Sequence, residues 1–303
     1  MKQLKNSNYP SNAFGRFWMK VPLIVRSILI GFGVSSLGVS IWTIVVMSLP
    51  GPWSVLLMGT ILIFFWMYFS GKWKSSNTQA FRRFCTRKIN LKRPVWIWGL
   101  IAAFFIFLFL NASFMLTFRI VEFQPEIFKN LSFINDLPAL QAWSIIIGIS
   151  MTAGICEEIG YRGYLQKPLE QKYGPIVAIS ITSLIFVVIH LHQAWLGSIL
   201  VPVFFISIMI GYLAYSTNSL LPGIICHVSF DIINVSYWWS DVIGTFEHKS
   251  ISMTGVDNHF IITVIVVLLS TILFMVAIRK LLKLKKKESA NLTYDQTCQN
   301  LPS

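Results

Sequence analysis

The chain has 303 residues, 55% hydrophobic and only 12% charged, with a formal net charge of +13 and a mean hydropathy of +0.66. A soluble domain carries about a quarter charged residues. The deficit here is spread along the chain as apolar stretches of spanning length, which points to an integral membrane protein and excludes disorder. The positive charge sits in short segments between apolar runs, where topology selection and anionic headgroups account for it, so nucleic-acid binding is not expected.

The N-terminus is basic, with Lys2, Lys5, Arg16 and Lys20. The run after it is too long for a signal-peptide core and is read as a retained transmembrane helix. Eight runs approach the roughly 20 residues that a spanning helix needs. They lie near Ser27–Met47, Trp53–Phe69, Val95–Phe118, Ala142–Cys156, Ile176–His190, Leu196–Tyr215, Leu220–Trp238 and Phe260–Leu282. A Ser-Leu-Pro-Gly-Pro turn joins the first two into a hairpin. The expected fold is therefore all-α, a polytopic membrane helix bundle of about eight transmembrane helices. Its segments are an N-terminal stretch 1–20, N-terminal helices over 21–139, a core 140–237, an outer loop 238–259, a last helix 260–282 and a basic, polar tail 283–303.

With the N-terminus inside, Arg119, Lys129 and Lys249 are the outer cations, and the other 22 of the 25 Lys and Arg fall in inner segments. That asymmetry is what the positive-inside rule demands. It implies cytoplasmic termini at both ends, in the plasma membrane. The basic run from Arg279 to Lys287 reads as an anchor at anionic lipid, and the tail beyond it as disordered. The four cysteines show no paired spacing, so no disulfide framework is expected, and Cys156 and Cys226 read as small apolar side chains.

Ionisable groups inside membrane helices are costly and suggest function. Three clusters stand out. In the first, Glu158 and Arg162 are four apart and can pair on one helix face, while Glu157 lies about 100° round and points elsewhere. The pair of glutamates could supply a general base or could be interfacial charge. The second is Phe186 with His190 one turn on, followed by His192. Here His190 could be an interfacial hydrogen-bonding residue, and Phe186 could wall a pocket or face lipid. The third is His227 with Asp231 on the same face and Asn234 a turn further; they could orient a water, donate to an oxyanion or ligate a metal. Gly174-Pro175 reads as a stop between two helices. Seventeen residues lead from Glu157 down to Gly174 and sixteen back up to His190, so these two should lie level. From a turn near Asn218, His227 climbs only nine residues and falls short unless its helix is tilted or starts lower.

In this order, Glu157-Glu158-xxx-Arg162, Phe186-xxx-His190 and His227-xxx-Asp231 resemble the motifs of the CPBP family, the CAAX proteases and bacteriocin-processing enzymes also called Abi. That family includes the type II CAAX prenyl endopeptidases. The resemblance covers roughly residues 140–237. It implies a membrane endopeptidase in which Glu157 and His190 activate a water and His227 and Asp231 stabilise the oxyanion. Glu158 and Arg162 would be a supporting ion pair. Prenyl-processing members carry Asn where this chain has Asp231, and an ionised Asp donates no hydrogen bond. The family has also been described as metalloprotease, and zinc held by His190, His227, Asp231 and Glu157 is an open alternative to a metal-free mechanism. No HExxH is present. The implied partner is a membrane-associated peptide or protein. Two other readings stay open: a non-catalytic membrane immunity or scaffold protein on the same fold, and a proton-coupled transporter.

Overall fold

A computed structural model describes residues 13–49, 51–73, 78–87, 89–122, 129, 131–191, 199–245 and 249–299. Lys2, Lys5, Pro50 of the first hairpin turn, His192 and the expected start of the sixth span at Leu196 lie outside the described residues. The helices are α1 (Ala13–Lys20), α2 (Leu23–Ser48), α3 (Pro52–Phe69), α4 (Gln79–Thr86), α5 (Arg93–Ile120) and α6 (Ala139–Tyr173). They are followed by α7 (Pro175–Ile189), α8 (Leu200–Thr217), α9 (Leu221–Ile233, running on in π turns through Asn234–Trp238), α10 (Ile251–Thr254) and α11 (Asn258–Gln299). No strand is found among the described residues.

The bundle is all-α, as the composition demands. Among the described residues, six helices, α2, α3, α5, α6, α8 and α11, are long and apolar enough to cross a membrane. The fifth and seventh expected spans, α7 and α9, are shorter, with 15 residues and with 13 before the π turns. Two stretches outside the expected spans carry the short helices α1 and α4. The tail expected to be disordered is helical as far as Gln299. The reason is local: from Asn258 to Gln299 the chain has neither Gly nor Pro, and past the apolar run it is rich in Lys and Leu, which favour helix.

Within lipid, helix association rests on close packing rather than on expulsion of water, so small residues gather at contacts. One face of α2 buries Ser27, Gly31, Ser35 and Gly38. The middle of α6 lies against it so closely that a Cβ on Gly160 would stand 2.5 Å from the Gly31 carbonyl oxygen. On the other side, α5 packs along α11 and under α9. Phe118 and Trp238 meet there with ring centroids 4.9 Å apart, and Phe114 and Phe230 at 5.6 Å. At the end of α5, Arg119 pairs with Asp257 at 2.7 Å. Asp257 lies outside the spans, and the Arg119 hydrogen bond holds its carboxyl below the usual carboxylate range.

Candidate active site

Helix α6 changes character at the glutamate pair. It is α-helical to Glu157 and π-helical over Glu158–Leu165, then α-helical again to Tyr173. π turns are rare and collect at functional sites. Glu158, Arg162, Gln166 and Glu170 follow at intervals of four and are all buried. Arg162 Nη1 lies 3.6 Å from Glu158 Oε1, and Arg162 Nη2 donates to Ser207 Oγ at 3.2 Å. Lower down, Gln166 Nε2 donates to Glu170 Oε1 at 2.7 Å and to the Gly211 carbonyl at 3.0 Å.

Arg87 locks this stripe from outside. It follows α4 with a left-handed φ of 63°. Its guanidinium donates to Glu170 Oε1 at 2.6 Å, to the Arg162 carbonyl at 3.0 Å and to the Ala214 carbonyl at 3.3 Å. Arg87, Gln166 and Glu170 were not among the site residues expected from sequence. Gln166 and Glu170 did leave a signal there, because they continue the four-residue spacing of Glu158 and Arg162.

The height of His227 is set by the α8–α9 turn. Lys167 Nζ donates to Asn218 Oδ1 at 3.1 Å, so the turn sits level with Lys167 and not with Gly174. Ten residues lead from Lys167 back to Glu157 and nine from Asn218 up to His227, so at 1.5 Å per residue the two arrive at nearly the same depth. Neither a tilt nor a lower start levels them: the α8–α9 turn lies nearer the site than the end of α6, which runs on past Lys167 to Tyr173. Two glycines let α9 come close. A Cβ on Gly223 would stand 3.2 Å from Glu158 Oε2, and one on Gly154 would stand 2.5 Å from Val228 Cγ2.

His227 therefore reaches all three acids. Its Nδ1 lies 3.0 Å from Glu158 Oε1. Since Glu158 is a carboxylate facing Arg162, Nδ1 is the donor. Nε2 is left facing Asp231 Oδ2 at 3.6 Å and Glu157 Oε2 at 4.0 Å. On α7, His190 Nδ1 donates to the Phe186 carbonyl at 2.7 Å, which leaves its Nε2 as the acceptor nitrogen. The Phe186 ring is sandwiched between Arg162, 4.5 Å from its centroid, and His190, also at 4.5 Å.

A cavity of about 290 Å³ joins the three motifs. Glu157, His190, His227 and Asp231 all line it, with Arg162, Phe186 and Asn234. Glu158 does not line it and is fully buried behind His227. The expectation that Glu157 and Glu158 point apart is met: one faces the cavity and the other fixes an imidazole from the rear. Among the described residues, no group of three or more His, Cys, Asp or Glu is arranged to hold a metal ion. His227 Nδ1 is turned to a carboxylate and His190 Nδ1 to a backbone carbonyl, which leaves each Nε2 as the remaining ring nitrogen. The set His190, His227, Asp231 and Glu157 shares one cavity.

Carboxylates and imidazoles thus converge in a cavity among apolar helices of an integral membrane protein. Residues 139–233 match the family model described as type II CAAX prenyl endopeptidase Rce1-like. The match covers less than a third of the chain and is a likeness to CAAX-type proteases in that segment. Neither a curated protein nor a solved structure matches the chain.

Proposed function

We propose that this protein is an intramembrane endopeptidase that hydrolyses a peptide bond in a membrane-associated protein or peptide. The observation that carries this reading is that Glu157, His190, His227 and Asp231, drawn from three separate helices, line one cavity. Glu157, assisted by His190, takes a proton from a water as its oxygen attacks the carbonyl carbon. His227 acts as an imidazolium, donating Nδ1–H to Glu158 and Nε2–H to the oxygen on which negative charge develops. Asp231 holds the ring from the other side. When the C–N bond breaks, Glu157 passes its proton to the departing amine. Glu158 and Arg162 touch no substrate and act by positioning His227 and Phe186.

The same reading places the protein in the plasma membrane with both termini cytoplasmic, and the basic segments against anionic lipid. Its support is the concentration of 22 of the 25 Lys and Arg in inner segments. The test of catalysis is Glu157→Gln. Activity should be lost while the level of protein in the membrane is unchanged. Full activity of that variant in cells would defeat the protease reading and favour a scaffold on the same fold.

A further inference from the structure

One polar group in the cavity has no task in this mechanism. Asn234 lines the cavity beside Asp231. It lies seven residues after His227, two turns on, so His227, Asp231 and Asn234 form one stripe along α9. Its Oδ1 is buried and meets no hydrogen-bond donor among the described residues. The helix opens into π turns at this residue, whose carbonyl accepts from the Trp239 N–H at 3.1 Å. A buried amide oxygen without a donor costs about 1–3 kcal/mol and calls for an explanation. Phe114, Phe230 and Val235, which line the same cavity, carry no side-chain donor.

The ligand that satisfies a carboxamide is one presenting both an N–H and a C=O, and a polypeptide backbone does so at each residue. A hydrocarbon chain does not. We infer that Asn234 binds substrate: its carboxamide pairs with one backbone amide of an extended peptide in the cavity, with Oδ1 accepting the peptide N–H and Nδ2 donating to a carbonyl. The inference rests on the endopeptidase reading and adds a specificity element to the same cavity. Asn234 recognises main chain, so it fixes the position of the scissile bond against Glu157 whatever the side chains are. It also supplies an amide donor, which an ionised Asp231 lacks.

The test is a cycle between enzyme and substrate, with purified full-length protein in phospholipid vesicles. The probe is a quenched peptide library carrying a farnesylated C-terminal CAAX cysteine. From one cleaved member, a series is made with each backbone nitrogen methylated in turn, which removes one N–H at a time. Wild type should lose about tenfold in kcat/KM at one position near the cleaved bond, through KM. Asn234→Leu should show a raised KM on the parent peptide and no further loss on that methylated peptide. Asn234→Asp keeps the acceptor and should keep the methylation penalty, which separates lost pairing from damaged folding. Equal penalties in wild type and Asn234→Leu overturn the inference and leave the protease reading intact. If wild type cleaves no member of the library, both fall.

Discussion

Glu158 has no exposed surface and faces two partners, Arg162 at 3.6 Å and His227 Nδ1 at 3.0 Å. Removing its charge strands a guanidinium in the interior, and breaking a buried pair from one side costs about 3–5 kcal/mol. We expect Glu158→Gln to lower the thermal stability of the detergent-solubilised protein by that order. Glu158→Gln combined with Arg162→Met should recover most of the loss, because no unpaired charge remains, yet stay inactive because His227 then faces a neutral amide in place of a carboxylate. Recovery of activity in the double variant would contradict the positioning role. At this scale much of the site was legible in the sequence. Charges in apolar helices are expensive, so Glu157, Glu158, His227 and Asp231 stood out, and the cavity brings Glu157, His190, His227 and Asp231 together. Arg87 was not legible. It sits in a basic inner segment among seven other cations, and nothing local marks it as the one that turns inward to Glu170.

Helix α6 owes its place to the crossing with α2. A Cβ on Gly160 would also meet Ser35, with its Cβ 3.0 Å away, so the contact is closed on both sides by backbone or short side chains that cannot move aside. Gly160→Leu should destabilise by about 1–3 kcal/mol, as overpacking does, and should reduce activity by displacing the π segment. Gly33 is the control, on the same α2 helix with nothing within 4 Å of an added Cβ. Gly33→Leu should leave melting temperature and turnover unchanged, and equal damage from both substitutions would remove the crossing as the cause. The long helices were legible because runs of apolar residues have few other uses. The π turns were not. Glu158–Leu165 reads as ordinary helix by composition, and what departs from it is tertiary: α2 against Gly160, and the Cys85 carbonyl 3.3 Å from where a Gly163 Cβ would be. The depth of His227 was hidden for the same reason, since the Lys167–Asn218 bond that sets it joins residues far apart in sequence.

For the molecule as a whole, the termini should lie on one side whether α7 and α9 are counted as crossings or not, because six and eight are both even. A reporter active only in the cytoplasm should work at either end, and a fusion within 249–257 should be silent. Activity at one terminus alone would break the proposed topology. The 15 residues of α7 have a further consequence. They extend about 22 Å at 1.5 Å per residue, against a hydrocarbon core of about 30 Å. Lipid beside α7 meets a hydrophobic mismatch, and the bilayer must thin or tilt its chains along that flank. The flank is also the wall that carries His190. Turnover in vesicles should therefore fall as lipid acyl chains lengthen from 14 to about 22 carbons, and a flat response would show that the surrounding helices absorb the mismatch. On this view the membrane is a mechanical element of the enzyme, pressing on the helix that completes its cavity.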